Sequence, residues 1–403
     1  MEKGGNNSYR WIVLAVFMLA ALVSQLLWLT FAPISSEARE IYGVDAFHIS
    51  TLSLVWPLVF VITAIPVGIF IDKKGFKKSV GVGVVIMAIF SIARVFSTYP
   101  SPNFTLLLIS QTGCSFSQAF IFGSITKMTV SWFPENEQGI ADGLATIGLF
   151  LGMMLALVLT PYFFTSFGLQ GVLSIYAIIS CFIAALFLLL ARENEGKVVE
   201  EIAFTLKDLW NLSKLKNFSI LEYGFFAGVG GFTAIMTWLE EILHELHNLS
   251  IENAGLAGGA LIIGGIVGAI VIPALSDKAG RIKPFVVFNL FMGAMMLSLL
   301  GFVERFAIIV AICFTMGFFL MSILPLVLEL SGRIAGRGME GRASSMLWFY
   351  SQVGSIILIA IIEPLKKIGG SYVHPLTFIS ILWLIALLLF LMIKEGEIKN
   401  HTS

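Results

Sequence analysis

Charge is the scarcest commodity in this chain. Only 12% of the 403 residues are Asp, Glu, Lys or Arg, against roughly a quarter in a soluble domain. Hydrophobic residues make up 58%, and the mean hydropathy is +0.93. So few charges cannot cover a water-exposed surface, and the composition implies a membrane protein whose surroundings are a lipid bilayer. The 25 basic and 25 acidic residues cancel, which leaves no cationic footprint for nucleic acid. Cysteine is nearly missing: Cys114, Cys181 and Cys313 all lie inside apolar runs, with neither a disulfide framework nor a metal-ligand spacing. No Ser-His-Asp arrangement or phosphate-cradling glycine loop stands out. In "HELH" the histidines His244 and His247 stand at i, i+3 and not at the i, i+4 of the zinc metalloprotease motif, so the stretch reads as an exposed outer loop. The expectation is a non-enzyme with no cofactor and no metal.

What is present is a series of long apolar runs. A helix needs about 20 apolar residues to cross about 30 Å of hydrocarbon. Such runs lie at roughly 10–32, 50–71, 79–97, 104–130, 139–164, 170–190, 218–239, 253–274, 285–302, 306–330, 343–364 and 373–393. This predicts an all-α membrane protein of twelve spans. The first run is too long for a signal-peptide core and has no small-residue cleavage site at its end, so it is expected to be retained. Most connections are short. The exception is the charge-rich segment 191–217, which divides an N-terminal half, 1–190, from a C-terminal half, 218–403. Within it Phe204, Leu209, Trp210 and Leu215 could line one side of a surface helix, with a loosely structured linker as the alternative.

Lysine and arginine set the expected orientation. With a cytoplasmic N-terminus, every basic residue except Arg39, Arg94, Arg305, Lys366 and Lys367 falls on cytoplasmic loops or termini. Both termini are therefore expected on the cytoplasmic side of the cell membrane. The cytoplasmic stretch "GIFIDKKGFKK" places Gly68, Asp72, Lys73, Gly75 and Lys77 between spans 2 and 3. Between spans 8 and 9, "PALSDKAGRIK" repeats the spacing with Asp277, Lys278, Gly280 and Arg281, about half the chain length further on.

This pattern resembles the loop signature of the major facilitator superfamily, and "SWFPENEQGIADGL" is similar to that superfamily's segment entering span 5. The resemblance implies two pseudo-symmetric six-helix halves, each nested with inverted repeats, and alternating access. A carboxylate at the cytoplasmic edge also suits the positive end of a helix. Gly68, Asp72, Gly75, Lys77, Asp277, Gly280 and Arg281 are accordingly expected to form gating latches. Asp72 would dock near "EGRASS" at the start of span 11, and Asp277 near "ENEQGIAD" at the start of span 5. Tight helix crossings are expected at Gly148 and Gly152 in span 5 and at Gly264 and Gly268 in span 8. Span 5 lacks the Gly-Pro pair of many drug-proton exchangers.

Polar residues inside spans usually face a cavity, because lipid exposure is costly for them. Span 4 carries Gln111, Ser115 and Gln118 on one stripe, and span 11 carries Ser345, Trp348, Gln352 and Ser355 on another. Span 1 adds Gln25 and Trp28, and span 7 adds Thr233 and Thr237. The alternatives are interhelical hydrogen bonding for the stripes and an outer aromatic belt for Trp28. A closer resemblance, to the feline leukaemia virus subgroup C receptor family of haem and choline transporters, rests on three segments. They are "WLTFAPISSEAREIYGVDAFHISTLSLVW", "SFSQAFIFGSITK" and "LPLVLELSGRIAGRGMEGRASSMLWFYSQVG". It implies that Trp28, Gln118 and Gln352 contact substrate, and that Thr233 stands where such relatives carry a tyrosine. Gln25 and Trp348 complete the expected site. The expected function is transport of a small organic solute, foremost an organic cation or amine such as a choline-like compound, by a monomer. The alternatives are a carrier of haem, a vitamin-like solute or drugs, and a membrane sensor. Glu222, Glu240, Glu329 and Glu363 are all read near span ends, so facilitated, potential-driven movement is expected over proton symport. Arg94, toward the outer end of span 3, is left between pairing with a carboxylate and reaching the interface.

Overall fold

A helix that is apolar on every side has no face to offer water, and nearly every long helix here is of that kind. The computed structural model describes residues 8–194, 212–336 and 339–393. Among these the chain is helical with no strand, and ten helical segments are long and apolar enough to cross a bilayer. Their outward faces carry Ile62, Ile89, Ile178 and Leu189, each more than half exposed. Hydrocarbon is the solvent that tolerates such a surface, and it requires each backbone to satisfy its own hydrogen bonds within helices. The chain is a multi-pass membrane protein.

Two compact units divide the chain, Met1–Ala203 and Phe204–Ser403. Unit 1 contains α1 (Tyr9–Trp28), α2 (Ser35–Tyr42), α3 (Ala46–Val95), α4 (Phe104–Phe122), α5 (Ile125–Trp132) and α6 (Glu135–Leu190). Asp45 starts α3 by accepting from the His48 N–H at 3.0 Å, and Asn103 starts α4 by accepting from Leu106 N–H at 2.9 Å. α3 and α6, at 50 and 56 residues, are too long for one crossing. Each is broken by a single glycine with positive φ, Gly75 (80°) in α3 and Gly168 (66°) in α6. The stretch around Asp72 is therefore helical up to the break, where the sequence had suggested a loop between two spans.

Unit 2 contains α7 (Lys216–His247), α8 (Ile251–Ala279), α9 (Lys283–Leu300), α10 (Phe306–Ala335), α11 (Glu340–Gly369) and α12 (Val373–Leu391). Its helices pair as those of unit 1 do. α1 packs on the first half of α6, as α7 packs on α11; α3 packs on α4 both before and after its break, as α8 packs on α10. Small residues allow these approaches. A Cβ on Gly152 would strike the Leu22 carbonyl of α1, and Cβ atoms on Gly264 and Gly268 would strike the Phe314 and Phe318 carbonyls of α10. Indole N–H groups lock two crossings in unit 2, Trp238 onto the Ile359 carbonyl of α11 at 3.1 Å and Trp383 of α12 onto the Ala227 carbonyl of α7 at 2.7 Å.

One expectation changes. His244 and His247 lie in the last turn of α7, not in a loop, and their ring nitrogens approach the Leu249 and Leu300 carbonyls at 3.1 and 2.8 Å. Among the described residues no group of His, Cys, Asp or Glu could hold a metal ion. Phe204, Leu209 and Trp210, expected on a surface helix, lie outside the described residues, while Leu215 sits at the N-cap of α7.

The close crossing of α8 and α10 predicts that Gly268→Val destabilises the protein by more than the about 1–3 kcal/mol of ordinary overpacking, because the obstacle is backbone. Gly228→Ala in α7, where a Cβ meets nothing within 4 Å, should be neutral or stabilising. Thermal unfolding in detergent checks both, and equal effects would contradict this packing.

Candidate functional site

Trp28 is the last residue of α1, buried at 7% exposure, with its indole N–H donated to the Ser53 carbonyl of α3 at 3.1 Å. That bond holds the ring inside unit 1 and away from a lipid-facing belt. Gln111 on α4 clamps the same level, its amide donating at 3.2 Å to the Leu27 and Leu52 carbonyls. For Gln111 the hydrogen-bonding alternative is the correct one. Ser115 likewise turns back on its own helix, to the Thr112 carbonyl.

Gln25 and Gln118 behave differently. Gln25 is fully buried, and neither its amide nitrogen nor its oxygen has a partner among the described residues; Gln118 is 3% exposed with an oxygen likewise unpartnered there. α1 runs antiparallel to α4 and α5, since Tyr9 meets Trp132 at one end and Gln111 meets Leu27 at the other. At about 1.5 Å per residue, Gln25 and Gln118 fall within a few turns of the Trp28 level. Buried amides normally find partners, and two without them near a fixed indole are groups available to a polar solute.

In unit 2, Gln352 is 9% exposed and makes no hydrogen bond among the described residues. Four residues earlier on α11, Trp348 packs edge-on against Phe225 of α7, with ring centroids 6.1 Å apart. Thr233 is buried, and its carbonyl accepts from the Thr237 hydroxyl at 2.9 Å. Ser351 and Ser355 bond back to the Trp348 and Ser351 carbonyls, while Ser345 is exposed.

Around the glycine break of α3, the carboxylate on the exposed helix start is one that the sequence did not single out. Glu193 accepts from the Phe76 and Lys77 N–H groups at 3.2 and 2.9 Å, satisfying two of the donors left over where the helix restarts. A Cβ on Gly75 would lie 2.6 Å from that carboxyl carbon, so the glycine is required both for its φ and for the approach of Glu193. The neighbouring residues fasten the same segment: Trp132 donates to the Arg192 carbonyl at 3.2 Å, Asn194 to the Ser131 carbonyl at 2.8 Å, and Arg192 lies over Tyr9. Asp72 faces Lys127 of α5 at 3.7 Å within unit 1. Gly68 lies on α3 ahead of the break, with Lys77 just after it. In unit 2, Asp277 and Arg281 are exposed, and Gly280 ends α8 with φ 64°. Glu193 was hidden in a charge-rich stretch whose composition reads only as solvated linker.

Arg94 takes neither of its expected roles. It is 1% exposed, no carboxylate among the described residues pairs with it, and its guanidinium lies over the Phe31 ring at 5.3 Å.

The Major Facilitator Superfamily profile matches residues 15–359. The chain belongs to the Major Facilitator Superfamily, a family of transporters. Among its relatives, a protein of Archaeoglobus fulgidus described as uncharacterized is 38% identical over 53% of this chain and 98% of its own length. A choline/ethanolamine transporter of Danio rerio is 24% identical over 86% of this chain and 76% of its own length. A solute carrier family 49 member of Xenopus tropicalis is 26% identical over 89% and 78%. The similarity to the feline leukaemia virus subgroup C receptor family is thus borne out. The fold of this superfamily member also matches the crystal structure of a bacterial homologue of the human lysosomal transporter Spinster, inward-facing and occupied. The TM-score is 0.76 over 96% of this chain and 97% of that one, at 13% identity.

Removing the Glu193 carboxylate should release the restarted helix. Glu193→Ala is expected to cost about 1.5–3 kcal/mol, the usual worth of hydrogen bonds to a charged group. It should also speed amide exchange at Phe76 and Lys77, with Glu193→Gln intermediate. Hydrogen-exchange mass spectrometry checks this, and unchanged protection at 76–77 would contradict it.

Proposed function

We propose that this superfamily member is an alternating-access carrier of a small organic cation or amine of the choline class. The observation that carries the reading is the fixed indole of Trp28 together with two unpartnered amides in unit 1, Gln25 one turn earlier on α1 and Gln118 two turns along α4 from the Gln111 clamp. A desolvated organic cation over a tryptophan face gains about 2 kcal/mol, and an amide hydrogen bond to a hydroxyl or amine adds about 1 kcal/mol net. An inorganic anion would call for an accessible Arg or Lys, whereas Arg94 is enclosed against Phe31. In unit 2 the contacts assigned to substrate are Thr233, Trp348 and Gln352. The choline/ethanolamine name of the Danio rerio relative supports the substrate class.

The reading extends to architecture. Counting α3 and α6 as two crossings each at Gly75 and Gly168 gives twelve spans, in halves 1–190 and 218–403 joined by 191–217. Both termini are assigned to the cytoplasm of a cell-membrane protein acting as a monomer. Asp72 and Asp277, with Gly68, Gly75, Lys77, Gly280 and Arg281, are assigned to gating. Movement is assigned to facilitated diffusion down the potential. In keeping with this, Glu363 is countered by Lys367 at 3.5 Å, a structural pairing that does not require a transported proton.

Direct binding of labelled choline and ethanolamine to purified protein tests the site. Trp28→Ala should weaken binding of whichever solute binds by about tenfold or more, a loss of about 1.4 kcal/mol or more. Trp28→Phe should keep part of the affinity, and Gln118→Ala should lose discrimination between the two polar ends. Equal affinity in Trp28→Ala would remove the aromatic site from the account. A thermal-shift panel that includes haem and vitamin-like solutes separates the other carrier readings, since a ligand of the folded state raises apparent stability.

A further inference from the structure

Unit 2 carries a groove of about 540 Å³ between the start of α9 and the end of α12. Its walls are apolar: Phe288 and Phe291 from α9, and Leu387 and Leu391 from α12. Phe288, Phe291 and Leu391 are each about half exposed, at 52%, 48% and 50%, so the groove opens to the surroundings of the unit. Among the described residues, its charged lining residues are Arg281 and Lys283, both at one end.

That end is built. Gly280 in the left-handed conformation closes α8, and the Arg281 N–H then reaches back to the Ser276 carbonyl at 3.3 Å. The Ser276 hydroxyl donates to the Arg281 carbonyl at 2.9 Å, so the backbone of Arg281 is held from both sides. Its side chain is exposed and makes no hydrogen bond or ion pair among the described residues. Lys283 is anchored across the groove, donating to the Leu391 and Ile393 carbonyls at 2.7 and 2.8 Å, where its charge offsets the negative end of α12. The start of α9 adds the positive end of its own dipole to the same mouth. Asp277 lies one turn before this mouth, exposed and outside the groove lining.

The geometry points to a binding site for an anionic phospholipid, with the headgroup phosphate at Arg281 and Lys283 and one acyl chain along Phe288, Phe291, Leu387 and Leu391. The dimensions agree. From Lys283 to Phe291 α9 rises about 12 Å, close to half of the about 30 Å hydrocarbon thickness, so the groove is one leaflet deep. Among the described lining residues there are two basic side chains and no carboxylate, and an exposed Arg281 at the mouth favours a net-negative headgroup over a zwitterionic one. A free phosphate would leave the apolar walls without an occupant. This site is distinct from the residues assigned to the transported solute and does not depend on what that solute is.

Native mass spectrometry of the full chain, released from detergent and titrated with dioleoyl phosphatidylglycerol or dioleoyl phosphatidylcholine, tests the proposal. The parent should bind one phosphatidylglycerol more tightly than any phosphatidylcholine. Arg281→Gln, an exposed position, should weaken phosphatidylglycerol about fivefold, the effect of one basic residue at an anionic headgroup, and leave phosphatidylcholine unchanged. Leu387→Trp, which fills the groove, should weaken both. Equal phosphatidylglycerol affinity in Arg281→Gln would overturn the site, as would millimolar inorganic phosphate displacing the lipid. A several-fold gain in lipid binding on deleting residues 395–403 would show that the chain's own C-terminal segment takes the groove, and would overturn it too.

Discussion

Hydrocarbon offers no hydrogen bonds, and most of this molecule follows from that one constraint. Each backbone has to satisfy itself as a helix, and each helix is free to be apolar all round because lipid covers it. With no hydrophobic drive between helices, association rests on close packing and internal polar contacts. Gly152, Gly264 and Gly268 let backbones approach to the point where a Cβ would collide. Trp238 and Trp383 spend their indole N–H groups on carbonyls of neighbouring helices. The two glycine breaks, at Gly75 and Gly168, are the places where a long helix has to stop satisfying itself. At Gly75 the orphaned N–H groups are taken by Glu193.

The same constraint separates structural polar residues from available ones. Gln111 and Gln118 sit on one face of α4, and both side-chain oxygens lack a partner, yet the amide nitrogen of the first is engaged by the Leu27 and Leu52 carbonyls and that of the second is not. Gln111 ties α1 and α3 at the level of Trp28, and so it positions the indole without needing to touch a solute. Arg94 shows a third outcome: a guanidinium enclosed against an aromatic ring, where it serves packing and a cation–π contact.

The helices and their family were legible in the sequence because both are written locally. Span length, hydropathy, the repeated Asp-basic-x-Gly pattern and the small-residue spacing each occupy a few dozen residues or fewer. Partners distant in sequence were not legible. The repeat pointed to Asp72 as a carboxylate for a distant helix start, but periodicity could not say that the start at this loop is taken by Glu193, more than a hundred residues later, while Asp72 faces Lys127. The stripe of span 4 identified polar residues facing inward without revealing which were already satisfied. The continuation of α7 through His247 escaped because its last turns are charged, and hydropathy ends a span where charge begins.

Satisfied helices, packed through glycines, leave a small set of unsatisfied amides beside a fixed indole, and the account's central claim is that these serve a carried organic cation. Counterflow is the most direct measurement: liposomes containing the purified protein and loaded with unlabelled choline or ethanolamine are diluted into trace labelled solute. The account predicts a transient internal accumulation of label above equilibrium, lost in Trp28→Ala liposomes. Label that only rises to equilibrium, with no overshoot for either solute, would contradict it.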